Sequence, residues 1–64
     1  MDSKVFVIGT RETLIFEGGF KDCLLKSKSM QEKTRFAVVV ENQNGVRFSM
    51  ADQKSELRKI LSDG

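Results

Sequence analysis

The eight residues Glu41 to Phe48, ENQNGVRF, decide how this chain folds. Asn44-Gly45 is the strongest short-range hairpin signal a sequence carries. The flanking runs, Thr34 to Glu41 (TRFAVVVE) and Gly45 to Met50 (GVRFSM), read as its two strands. Where the loop closes sets the faces, because a slip of one residue moves every side chain of a strand to the other side. A two-residue turn at Asn44-Gly45 would put Phe36, Val38 and Val40 on the face opposite Val46, Phe48 and Met50. A three-residue loop, Gln43-Asn44-Gly45, keeps the apolar set together: Val40 faces Phe48, Val38 faces Met50, and Phe36 extends that surface. On the other face Glu41 meets Arg47, an ion pair across the strands, and Val39 meets Ser49. Gly45 then takes the left-handed position that only glycine occupies freely. The apolar pattern predicts the three-residue loop.

Working outward, Lys4 to Gly9 (KVFVIG) is β-branched and aromatic, too short for a helix, and stopped by Gly9. Thr13 to Gly19 (TLIFEGG) follows a polar tetrapeptide, so the two runs predict an antiparallel hairpin. Phe20 to Gln31 is ambiguous. As a helix it puts Phe20, Cys23, Leu24, Ser27 and Met30 on one stripe; as a strand it puts Leu24, Lys26, Lys28 and Met30 on one face. Neither face is cleanly apolar, and the helix is the preferred reading. The last segment, from Ser49, reads as a helix with Ser49 as N-cap, Asp52 at N3, and Leu57, Ile60 and Leu61 as its apolar stripe. The sequence therefore predicts one α+β domain over residues 1–64, a four-stranded antiparallel sheet with two helices in the order β-β-α-β-β-α.

Composition bounds the chemistry. Hydrophobic residues make up 39% of the 64, enough for one small core, with five Phe and neither Trp nor Tyr. Eleven basic against nine acidic residues leave a net charge of +2, too little to argue for nucleic acid alone. The single Cys23 excludes an intramolecular disulfide, and it falls on an apolar stripe with no His in the chain to activate it, which reads as a core thiol. No His and no cluster of other ligands leave nothing to hold zinc. No apolar run approaches the length of a membrane span and no stretch reads as a signal peptide, so the expectation is a cytoplasmic protein without membrane attachment.

Glu12 with Glu17, or Asp52 with Glu56, are the carboxylate pairs available for acid–base work, but such pairs need a shaped pocket that drives their pKa values apart. Gly18-Gly19 before a helix lacks the Walker spacing and its Lys-Ser/Thr. We expect no enzyme, no catalytic residue, no metal and no cofactor. Lys26 to Arg35 (KSKSMQEKTR) is the densest positive stretch, with Lys26, Lys28, Lys33 and Arg35 against Glu32. It is a solvated connector or a surface for a phosphate backbone. No exposed aromatic is expected beside it to stack bases.

The first hairpin is apolar on both faces: Val5 and Val7 against Phe6 and Ile8, and Leu14 and Phe16 against Ile15. Two helices cover one face of a four-stranded sheet. The surplus, Phe6, Ile8 and Ile15, is expected to meet another molecule or to be closed over by the sheet itself. The expected function is a non-enzymatic binding protein that docks on or occludes a protein partner, as an inhibitor, adaptor or regulator of the kind phages and mobile elements encode. Self-association as a homodimer is expected from the same surplus. The alternative is an RNA- or DNA-binding regulator using Lys26, Lys28, Lys33 and Arg35.

The stretch IGTRETLIF, Ile8 to Phe16, resembles the opening strands of the small dimeric RNA-binding carbon storage regulators, which also end in a helix. That family runs through five strands without a middle helix. It also places a basic residue after its last strand, where this chain has Ser49-Met50-Ala51. The resemblance adds an RNA-binding expectation and carries over no site residue.

Overall fold

The computed structural model describes residues 2–63. Strands β1 (Ser3–Ile8) and β2 (Glu12–Gly18) form the first hairpin, and helix α1 (Phe20–Gln31) follows. Strands β3 (Ala37–Glu41) and β4 (Arg47–Phe48) form the second hairpin, before helix α2 (Met50–Asp63). The sheet order is β2-β1-β3-β4, with every neighbouring pair antiparallel. This is the predicted α+β architecture, and α1 separates it from the five-strand plan of the carbon storage regulators.

The second hairpin closes where the apolar pattern placed it. Val40 pairs with Phe48 and Glu41 with Arg47. The Asn42 N–H donates to the Val46 carbonyl at 2.9 Å, which leaves Gln43 to Gly45 as the loop. Gly45 has φ +82, the left-handed conformation. The Asn42 side-chain oxygen accepts the N–H groups of Asn44 and Val46, both at 2.9 Å, and braces the turn from inside.

Beyond Phe48 the prediction fails. Met50 does not face Val38, nor Ser49 Val39, because the chain turns into α2 first. Ser49 explains the turn: its hydroxyl accepts the Asp52 N–H at 3.2 Å and its carbonyl the Gln53 N–H at 2.9 Å. Capping satisfies two donors of the new helix and ends the strand after two paired residues.

Both helices pack on the same face of the sheet. Val5, Val38 and Val40 from the strands, Cys23 and Leu24 from α1, and Leu57 from α2 form the buried core. The α1 stripe is the predicted one, with Cys23, Leu24 and Ser27 buried and Phe20 and Met30 against the core. Phe20 meets Phe48 edge to face, with ring centroids 5.2 Å apart.

The first hairpin carries a β-bulge. Val5 pairs with Phe16 and Phe6 with Leu14, so Ile15 has no partner across the ladder. Ile15 and Phe16 both pack against the core, and Leu14 is left outside, 47% exposed. The strict alternation expected of β2, and with it an outward Ile15, is corrected. Inserting one residue lets two consecutive large apolar side chains reach the same core.

Candidate functional site

Two surfaces remain once the core is filled. The first is the sheet face away from the helices. The pairing lays a charged row across all four strands: Glu17, Lys4, Glu41 and Arg47, alternating in sign. Above it the pairing sets Leu14 beside Phe6 and Val39, and then Glu12 beside Ile8 and Ala37. Five apolar side chains therefore share a face that no helix covers.

Arg47 straps that face. Its guanidinium lies 5.0 Å from the centre of the Phe6 ring and holds Glu12 with two bonds, 2.5 and 2.8 Å long. Its Nε reaches Glu41 at 3.4 Å. Glu12 and Arg47 sit on opposite edge strands, four residues apart in register. In a flat sheet their Cα atoms would stand about 20 Å apart, from three strand spacings across and four residue rises along. Two side chains do not bridge that distance, so the twist of the sheet draws these two corners together along this diagonal. The bonds from Arg47 hold the Glu12 carboxyl below its ordinary range, and the same bonds push the Arg47 pKa up. Glu12 is thus one end of a strap and not half of a carboxylate pair with Glu17.

The second surface is an open groove of about 600 Å³ between α1 and α2. Leu24, Lys28 and Gln31 line it from α1, and Gln53, Leu57 and Leu61 from α2, each set following one helical stripe. Lys54, Arg58 and Ser62 complete the α2 wall, and among the described residues no acidic side chain lines the groove. A hydrogen-bonded cluster anchors it to the core. The Ser27 hydroxyl donates to Gln53 Oε1, and Gln31 Nε2 donates to both Ser27 Oγ (3.0 Å) and Gln53 Oε1 (3.1 Å).

The predicted contact residues scatter. Phe6 and Ile8 lie half-buried on the open face, whereas Ile15, also half-buried, packs against the core on the other side. Lys26 is half-buried on α1, Lys28 lines the groove, and Lys33 and Arg35 stand exposed between α1 and β3. Phe36, beside them, corrects the expectation of no exposed aromatic. It lies just before β3, 56% exposed, with its ring against Gly9. Cys23 is buried with its thiol 3.6 Å from the Gly18 carbonyl, and burial pushes its pKa up, which suppresses the thiolate. Among the other acids, Glu56 pairs with Lys59 at 3.2 Å. Among the described residues no group of three potential metal ligands comes together, and no helix is long and apolar enough to cross a membrane.

Comparison with protein-family models, with curated proteins and with solved structures finds no match to this chain.

Proposed function

We propose that the protein is a non-enzymatic binding protein that acts by docking, with the open sheet face as its contact and a second copy of itself as the occupant. The observation that carries this is the alternating row Glu17, Lys4, Glu41, Arg47 beside five apolar side chains that no helix covers, Arg47 itself lying over one of them, Phe6. A two-fold axis parallel to the strands, between β1 and β3, lays the row over its own reverse. Lys4 then meets Glu41 of the second copy and Glu17 meets its Arg47, while Phe6 meets Val39 and Ile8 meets Ala37. Such self-complementarity is what a two-fold interface requires. The face measures roughly 20 Å by 20 Å, about 400 Å², from strand spacing and rise. A standard stable interface buries about 800 Å² per partner, so this face is about half the standard size and the association is weak. The same face serves for occluding a larger protein partner, as an inhibitor, adaptor or regulator would.

Sedimentation equilibrium from about ten to several hundred micromolar tests this. The wild type is expected to shift from 7.2 kDa toward twice that mass, and Phe6→Glu to stay monomeric with an unchanged circular dichroism spectrum. A wild type that remains monomeric throughout excludes the second copy.

One observation favours a nucleic-acid-binding regulator as a second reading: Lys33 and Arg35 stand exposed next to the exposed ring of Phe36. A cationic pair with a stackable aromatic is a minimal single-strand contact. That reading expects single-stranded RNA binding that falls steeply with salt and is lost in Phe36→Ala, whereas docking through Phe6 and Ile8 is nearly indifferent to salt.

A further inference from the structure

We propose that the groove between α1 and α2 receives a short acidic amphipathic helix from a partner protein. The groove lies among the helices, away from the open sheet face, so the inference stands apart from the self-association proposed above. Charge comes first. Lys28, Lys54 and Arg58 converge on one groove that, among the described residues, no carboxylate lines. None of the three belongs to an ion pair found among the described residues. Three like charges around a partly apolar trough repel one another and raise the local concentration of anions.

The floor argues for the kind of anion. Leu24 and Leu57 are buried at its base, and Leu61 stands on its wall 58% exposed. From Leu24 to Gln31, or from Gln53 to Leu61, the groove runs about 10–12 Å, roughly two helical turns at 1.5 Å per residue. Two neighbouring helices present ridges and a groove that accept a third helix, and a helix needs only one face covered. An acyl chain needs most of its surface enclosed, which an open groove does not provide. Among the described residues no aromatic side chain lines the groove to stack a nucleobase. A second copy would bring its own Lys54 and Arg58 against these, so self-docking here is opposed by charge.

The test titrates the isotope-labelled 64-residue chain with three blocked peptides of about sixteen residues, long enough to hold helix. One carries Leu at three- and four-residue spacing flanked by Glu, one has the same Leu flanked by Lys, and one is a scramble of the first. The Glu peptide is expected to bind saturably, with amide shifts centred on Leu24, Lys28, Leu57 and Leu61. Raising salt from about 50 to about 200 mM should weaken it several-fold. Lys54→Glu with Arg58→Glu, both exposed positions, should weaken it about tenfold or more and allow the Lys peptide to bind instead. Leu61→Ala should weaken it without changing the salt response. The proposal is overturned if the Glu peptide does not saturate by millimolar concentration or if the scramble binds equally. It is also overturned if the charge-reversed variant binds unchanged, if the shifts fall on Phe6 and Ile8, or if a short single-stranded RNA takes the groove more tightly than the peptide.

Discussion

The side-chain amide of Gln53 donates to the Val38 carbonyl at 2.9 Å, filling a place in the sheet that a strand residue would otherwise take. The register that pairs Val40 with Phe48 would bring Met50 opposite Val38, but Met50 already belongs to α2. Gln53 also donates to the Phe48 carbonyl at 2.9 Å and accepts from Ser27 and Gln31, so both its donors and its acceptor oxygen are used. Gln53→Ala strands the Val38 carbonyl and takes from the buried Ser27 hydroxyl the acceptor for its proton. At about 1–3 kcal/mol per stranded group, the expected loss is about 3 kcal/mol, much of what a small domain has. Urea denaturation followed by circular dichroism measures it. Gln31→Ala, at the partly buried edge of the same cluster, should cost less than about 1 kcal/mol. Equal losses in the two variants would contradict the ladder-capping role.

Gln53 also marks where sequence reading stops. The second hairpin was legible because Val38, Val40 and Phe48 share a face in only one register. Helix α1 was legible only in part, because Ser27 and Ser29 and the preceding glycines blur a stripe that a strand reading also fits. A glutamine in the first turn of a helix looks solvent-exposed, and nothing local says that a two-residue strand has left a carbonyl for it. The bulge was hidden for a different reason. Leu14, Ile15 and Phe16 are all apolar, so a period of two cannot reveal an extra residue among them. Lys28 joins Lys54 and Arg58 only through helix–helix packing, which no local spacing records.

Gly45 tests the hairpin alone. A Cβ built there meets nothing within 4 Å, so any cost of substitution is backbone strain at φ +82. Gly45→Val should therefore destabilise by more than about 1 kcal/mol, and Gly45→Asn by clearly less, since Asn tolerates the left-handed region. A Gly45→Val protein within a few tenths of a kcal/mol of wild type in urea denaturation would mean that the loop adopts another conformation in solution.

The bulge predicts opposite outcomes for two isoleucines. Ile15→Lys forces an ammonium toward the core cluster and should cost about 2 kcal/mol or more, lowering the thermal midpoint by many degrees. Ile8→Lys places the same charge on the open face and should leave the fold intact while abolishing self-association. Without the bulge, Ile15 would point outward and the two variants would behave alike.

The Arg47–Glu12 strap yields a prediction with a definite sign. The Arg47 hydrogen bonds lower the folded-state pKa of Glu12, so the contribution of the pair is complete above the ordinary carboxylate pKa. It is lost as pH falls through the lowered value. Because the pair is solvent-exposed, its effect on stability is small, and the sensitive readout is position. The Arg47 side-chain protons over Phe6 should be shifted by the ring current at neutral pH and relax with the titration of Glu12. Arg47→Gln should return that titration toward the ordinary carboxylate range. The strap also competes with the proposed two-fold pairing, where Arg47 must leave its own Glu12 to reach Glu17 of the second copy. Glu12→Gln frees Arg47 and should strengthen self-association, whereas Arg47→Gln removes the cross-copy contact and should weaken it. Sedimentation equilibrium of the two variants at neutral pH decides the matter. If both weaken association equally, the strap is part of the interface and the two-fold arrangement proposed here is wrong.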